Sequence, residues 1–338
     1  MILVTGGTGL VGSHLLYELA LKGQKVRALY RNDKRLSKVK HVFSYYSDDP
    51  KTLFNRIEWV LGDITDVPKL QSAFEGITHV YHCAALISFQ PNDYYKMRHV
   101  NITGTANVVN LCLQFKIEKL CYVSSIAAIG SSKTNQAVTE EQDWQSDKQV
   151  SAYALTKYGG EMEVWRGTQE GLAAVMVNPG VIIGPGYWKS GSGTLFTMIK
   201  RGLKYHPTGR TGFVDVKDVV NAMTGLMSSN ISIERFILIS ENAEWKRVLT
   251  EMAVGLEAKI PRHRASDFKL NIARWADAIR SVLLKKQRRV TKSSMRSMAS
   301  RTIYDGSKIT NTLGLKYQPL SDSIASNCRF FLSDQTKT

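Results

Sequence analysis

The sequence predicts an α/β fold, a doubly wound parallel sheet joined to a smaller, mostly helical C-terminal lobe. Three observations predict it: short apolar runs recur through residues 1–180, helix-like stretches ending at glycines separate them, and a glycine-rich turn follows the first run. The runs are continuously apolar rather than alternating, as strands covered by helices on both faces require. Strand, helix, strand in repetition implies right-handed crossovers and a parallel sheet.

The first run, Ile2 to Thr5, enters the turn TGGTGLVG and a helical stretch from Ser13 to Lys22, stopped by Gly23. Lys25 to Tyr30 is the second strand and Ile57 to Gly62 the third, followed by a helix from Val67 to Glu75 before Gly76. His79 to Ala85, Lys119 to Ser124 and Ala173 to Val177 complete the series. The stretch from Asn178 to Gly193 holds two prolines and five glycines, so it is expected to be a functional loop without strand or helix. A helix-like piece runs to Arg201, Gly212 to Met227 reads as a short strand entering a helix, Arg235 to Ser240 as a strand, and helical patterns continue to about Leu284. These elements place residues 1–178, with about 212–240, in one lobe, and 179–211 with 241–330 in the other.

Composition narrows the class. Of 338 residues, 43% are apolar and 22% charged, which excludes wholesale disorder, and no run approaches the roughly 20 apolar residues of a membrane span. MILVTGG leads directly into a strand, so a secretory segment is not expected. Cys83, Cys112, Cys121 and Cys328 lack CxxC spacing and read as small reduced core residues, with no metal expected. A soluble, cytoplasmic protein is the expectation.

Gly6, Gly7, Gly9 and Gly12 stand between the first strand and the first helix and satisfy both GxGxxG and GxxGxxG. A tight turn, close approach of the backbone to a pyrophosphate and packing of helix on strand all require glycine there, and the helix N-terminus offers N–H groups to phosphates. The sheet is therefore expected to be a Rossmann-type dinucleotide fold, with Leu10 and Val11 opening the helix against the cofactor. Arg31 ends the second strand, where a basic residue suits the extra phosphate of NADP, although Asp33 could instead take the ribose of NAD. Asp63 and Ile64, in GDITD, are placed to meet the adenine edge, and Ala84 and Ala85 let the dinucleotide lie near the backbone; Asp63 serves equally well as a helix N-cap.

Tyr153 and Lys157 lie four apart in SAYALTKYGGE, on one helix face, after the strand ending in Ser124 and Ser125. A free tyrosine, with a pKa near 10, exchanges protons poorly at neutral pH; an adjacent ammonium and an oxidised nicotinamide would favour its phenolate, and a serine hydroxyl would fix the substrate oxygen. TGGTGLVG, GDITD, HCAA, VNITGTANVV, YVSSIAAIG, YALTK and NPGVIIGP, in this order, resemble the extended short-chain dehydrogenase/reductase family, also called the NAD-dependent epimerase/dehydratase family. The likeness runs from Met1 to about Val220, and YDGSKITNTLGLKYQP (Tyr304 to Pro319) is similar to the family's closing segment. It implies a catalytic triad at Ser125, Tyr153 and Lys157, with Ser124 as the alternative serine. It also implies a contact of Lys157 with the nicotinamide ribose, Pro179 beside the cofactor, and a structural place for Asn101 beneath the site.

Three functions fit this resemblance. The first is a reductase or dehydrogenase acting on a carbonyl or alcohol, similar to the dihydroflavonol reductase and 3β-hydroxysteroid dehydrogenase branch, which YRND and SSIAAIG resemble most. The second is a nucleotide-sugar epimerase with retained NAD, in which Asn178 would hold the substrate diphosphate. The third is a non-catalytic cofactor sensor, against which the retained Tyr/Lys pair argues. A sugar dehydratase is set aside because Ile126 and Ala127 stand where that subclass carries its acid pair. Expected substrate contacts are Ser88, Phe89, Ser125, Asn178, Tyr187, Trp188 and Phe213, whose aromatics suit an apolar ring.

The net charge of +16 is concentrated: Lys259 to Arg301 holds thirteen Lys or Arg and two acids. Within it LNIARWADAIRSVLL (Leu270 to Leu284) reads as an amphipathic surface helix, and Lys285 to Arg301 as a solvated basic stretch able to meet an anionic membrane. A second copy of the chain is the other macromolecular partner considered. Nucleic acid is not expected, since no reading motif is present.

Overall fold

In the computed structural model, residues 1–130, 136–144, 150–265 and 291–336 are described. The basic helix expected over Leu270 to Leu284 and the KKQRR stretch lie outside them.

Among the described residues, twelve strands follow in chain order: β1 (Ile2–Thr5), β2 (Val26–Tyr30), β3 (Ile57–Leu61), β4 (His79–His82), β5 (Lys119–Val123), β6 (Ala174–Pro179), β7 (Val181–Ile183), β8 (Tyr205–His206), β9 (Arg210–Asp215), β10 (Glu234–Leu238), β11 (Glu241–Glu244) and β12 (His263–Arg264). Seven make one parallel sheet in the order β10-β6-β5-β4-β1-β2-β3. This is the Rossmann-type α/β architecture read from the apolar runs. The order reverses between β1 and β4, which opens a crevice at their carboxyl ends where ligands of such sheets bind.

The continuous apolarity of the strands is explained by two separate cores, one on each face. Val4, Cys121, Val175 and Val177 pack with the helices Leu10–Leu21 and Val216–Ser228 on one side. Leu3, Val80, Leu120 and Met176 pack with the helices Gly104–Gln114 and Ala152–Gln169 on the other. Each fully buried aliphatic side chain contributes roughly 1.5–3 kcal/mol of transfer free energy, so neither face tolerates a polar alternation.

Two boundaries differ from the sequence reading. The segment after Asn178 is not strand-free: β6 continues through Pro179, and β7 pairs in parallel with β9. β9 also pairs antiparallel with β11, so residues 210–215 belong to a small second sheet and the return to the large one begins at the helix from Val216. That small sheet carries a third core, in which Phe196, Phe213, Trp245, Leu249, Ile324 and Phe331 meet. Among the described residues, no helix is long and apolar enough to cross a membrane.

Candidate active site

The glycine-rich turn lies where β1 and β4 diverge. Gly6 adopts φ +70°, and a Cβ there would stand 2.5 Å from the Ala84 nitrogen; at Gly12 a Cβ would stand 2.3 Å from the Gly6 oxygen. Both distances are prohibitive, so the turn closes only with glycine. Gly9 caps the first helix without any side-chain hydrogen bond. Helix geometry leaves the first-turn N–H groups, from Leu10, Val11 and Gly12, without helical partners. This cradle, which a side chain would fill, fits a dinucleotide pyrophosphate. Tyr187 Oη donates to the Thr8 carbonyl at 2.9 Å and ties the turn to the small lobe.

At the far end of the cradle the Arg31 guanidinium, about half exposed, pairs with Asp63 Oδ2 at 3.2 Å. Asp63 Oδ1 accepts from the Thr65 N–H and hydroxyl. Burial pushes the Asp63 carboxyl up, but the Thr65 groups and the guanidinium outweigh it and hold it below the ordinary value. The Ile64 side chain is buried against Gly104, which leaves only its backbone for the crevice. Ala84 is half-buried and Ala85 exposed at the end of β4, and Pro179 is buried at the end of β6.

Tyr153 enters on the helix Ala152–Gln169, capped by the Ser151 hydroxyl, which accepts from the Ala154 N–H. Burial raises the Tyr153 pKa, while its hydrogen bond with Ser125 lowers it. The two adjacent serines differ in environment. Ser124 is buried and donates to Glu161 Oε2 at 2.5 Å, whereas Ser125 is half-buried and turned to Tyr153. Lys157 is 1% exposed and donates to Tyr122 Oη at 2.8 Å and to the Val123 carbonyl at 2.9 Å. Burial lowers its pKa to about 7, against the charge of Glu161, which raises it. The Lys157 ammonium, expected adjacent to the Tyr153 phenol, has Tyr122 as its side-chain hydrogen-bond partner.

The seven substrate candidates separate. Ser125 touches Tyr153, and the Phe89 ring lies 6.2 Å from the Tyr153 ring with its side 40% exposed. Asn178 is fully buried, its amide donating to the Ser125 carbonyl at 3.1 Å and to Glu161 at 2.8 Å, so it lies beneath the site and cannot grip a diphosphate as expected. Phe213 is also fully buried, edge-on to Trp245 in the small-lobe core. Trp188 packs against Phe196 and Phe331 and donates to Asp334 Oδ2 at 2.6 Å. Tyr187 holds the turn, and Ser88 is bonded to Asp93. For Asn178, Phe213, Trp188 and Tyr187 packing or backbone anchoring replaces the expected substrate contact.

The sequence reading missed Glu161, whose carboxylate joins Ser124, Asn178 and Arg235 Nη1 at 3.0 Å in a buried network. Its signal was present: Tyr153, Lys157 and Glu161 are spaced four apart on one helix face. Asn101, expected as structural, holds the Leu86 N–H and carbonyl and the Thr156 hydroxyl, which fixes the segment after β4 to the Tyr153 helix.

Residues 2–236 match the family model of the NAD dependent epimerase/dehydratase family. A Synechocystis sp. protein provisionally named dihydroflavonol 4-reductase is 28% identical over 97% of this chain and 93% of its own. Tetraketide alpha-pyrone reductase 2 of Arabidopsis thaliana is 28% identical over 74% of this chain and 81% of its own. Among solved structures, the dTDP-glucose 4,6-dehydratase DesIV of Streptomyces venezuelae, with NAD and TYD bound, has a TM-score of 0.76 at 18% identity, covering 99% of this chain and 98% of that one. MoeE5, in complex with UDP-glucose and NAD, has a TM-score of 0.74 at 19% identity and covers 99% of both chains. These two likenesses concern the fold.

Proposed function

This chain belongs to the NAD-dependent epimerase/dehydratase family, and from that premise we propose that it is an oxidoreductase that reduces a small-molecule carbonyl with NADPH. The observation that carries the proposal is the meeting of Ser125 and Tyr153 above Lys157 at the carboxyl edge of the sheet, beside the glycine cradle. The cradle from Gly6 to Gly12 would hold the pyrophosphate, and Arg31 with Asp63 the adenosine end. A reduced nicotinamide, when bound, supplies the hydride.

The remaining chemistry belongs to the chain. The Ser125 hydroxyl orients the carbonyl oxygen, and Tyr153 delivers its phenolic proton to that oxygen as the alcohol forms. Because burial keeps the Tyr153 phenol protonated, it stands ready as an acid for reduction. Lys157, placed below with a pKa near neutrality, supplies the positive charge that favours the phenolate left behind.

Two observations support reduction over epimerisation. Phe89 gives the Tyr153 side of the crevice an apolar wall, suited to an aromatic or aliphatic ketone. Asn178, the residue that the epimerase reading needs for a diphosphate, is buried. The exposed Arg31 at the end of β2 supports NADPH over NADH. The test is to identify by mass spectrometry the cofactor that copurifies and then to follow NADPH consumption against a panel of ketones and aldehydes. Exchangeable NADPH oxidised by carbonyls is the expected result; tightly retained NAD with no net consumption, and conversion of a nucleotide sugar, would overturn it.

A further inference from the structure

Lys157 is buried with its ammonium against a second tyrosine, and the reading of Lys157 as part of the reacting group is the premise here. We propose that Tyr122 is a positioning residue for Lys157, its phenolic oxygen accepting from the ammonium and holding it, protonated, at the floor of the site.

The geometry gives the contact a direction. Lys157 Nζ stands 2.8 Å from Tyr122 Oη and 4.4 Å from the centre of the Tyr122 ring, so both the oxygen and the π face attract the charge. The Tyr122 hydroxyl proton must then point elsewhere, and Thr105 is its hydrogen-bond partner. Thr105 directs its own proton to the Asn101 carbonyl at 2.7 Å, which leaves its oxygen able to accept the Tyr122 proton. His82 Nε2 lies 3.0 Å from the same threonine oxygen, which makes Nε2 the protonated nitrogen, and His82 Nδ1 accepts from Thr5 at 2.6 Å. All four of these side chains are essentially inaccessible. With the protons so arranged the donors point away from Lys157, and this relay ends on the Asn101 carbonyl inside the π-turn from His99 to Thr103.

The helix is shaped to admit this contact. Gly160, one turn after Lys157, would with a Cβ stand 2.7 Å from Tyr122 Oη and 2.4 Å from the Asn101 oxygen. Helix propensity is sacrificed here, in the middle of an 18-residue helix, to let the phenol reach the lysine. The other ionisable groups around Lys157 are Cys83 and His82 from β4 and its following turn, and Glu161 and Tyr153 from its own helix. Glu161 is already bonded to Ser124, Asn178 and Arg235. Tyr122 is thus the side-chain acceptor directly on the ammonium.

The test measures Lys157 itself, without cofactor or substrate. Protein carrying lysine labelled with carbon-13 at Cε is titrated by NMR, Lys157 being assigned by the signal lost in Lys157→Met. Tyr122→Phe keeps the ring and removes the acceptor, so the Lys157 midpoint is expected to move down by about one pH unit. Thr105→Val, which frees the Tyr122 proton to turn toward the ammonium, is expected to move it in the same direction by less. It also serves as the second variant should Tyr122→Phe fold poorly. In turnover, the ratio of Tyr122→Phe to wild-type kcat is expected to fall as the pH rises from 6 to 8. An unchanged midpoint, or a ratio constant with pH, would overturn the proposal. Absence of hydride transfer in the wild type, with the midpoint still displaced, would instead refute the oxidoreductase reading and leave the role of Tyr122 in holding the ammonium supported.

Discussion

At the carboxyl ends of β1, β4 and β5 the chain presents glycines and polar groups to a crevice, whereas in the small lobe Trp188, Phe196, Phe213 and Phe331 turn toward one another. Both regions hold residues that catch the eye in the sequence. In the first, a side chain at Gly6 or Gly12 would collide with backbone, and Ser125 and Tyr153 are turned to one another at the crevice. In the second, the aromatics build the core that joins short strands to separated helices. An aromatic residue beside a glycine-rich stretch is thus weak evidence of recognition unless it is exposed, as Phe89 is.

Four substitutions separate the regions, the first by rate and the second by stability. Tyr153→Phe is expected to lower kcat by roughly 10³-fold while leaving the dissociation constant of the cofactor nearly unchanged; steady-state kinetics with equilibrium binding checks this. Phe213→Ala, in the small lobe, is expected to cost about 3–5 kcal/mol of folding stability, read as a lower Tm, with KM for carbonyl substrates nearly unchanged in the folded fraction. A large change in KM at unchanged Tm would restore Phe213 to the substrate site.

The third substitution concerns pH. His14, on the first helix, is held at about 4 chiefly by burial, with its ring on the Leu10 carbonyl and Tyr46. Its ordinary value is 6.5, so as the pH falls below that the unfolded chain binds a proton that the folded chain refuses until about 4. The folded state therefore loses stability on acidification. Relative to His14→Gln, the wild type is expected to lose about 2 kcal/mol between pH 7 and pH 4.5, checked by denaturant melts of both proteins at each pH. Last and smallest, Arg31→Ala is expected to raise KM for NADPH several-fold and KM for NADH little, since a half-exposed guanidinium is screened by solvent. Equal effects on both would remove the NADPH assignment.

The sheet was legible because its physical requirements are local. A strand buried on both faces must be apolar at every position, and a turn with positive φ and no room for a Cβ must be glycine, so β1 to β6 and the cradle follow from runs and spacings. Asn178 was misread for the opposite reason: a polar residue at a strand end faces either a ligand or a buried partner, and the partner that decides it, Glu161, is 17 residues away in sequence. The same holds for Tyr122, which looks like one more aromatic in the strand until Gly160 and Lys157 are brought beside it. Strand β7 was hidden by the glycines and prolines around it, since its partner β9 comes some 30 residues later.

Hydride transfer to a released product is what separates a reductase from an epimerase that returns the hydride to the same substrate. The direct measurement uses NADPH carrying deuterium on the transferred position of C4, a ketone accepted in the carbonyl panel, and mass spectrometry of the alcohol formed. One deuterium on the former carbonyl carbon is expected in the alcohol made by wild-type protein, and roughly a thousandfold less deuterated alcohol in the same time with Tyr153→Phe. A product free of deuterium, or deuterated alcohol formed by Tyr153→Phe at the wild-type rate, would contradict hydride transfer with Tyr153 as the acid.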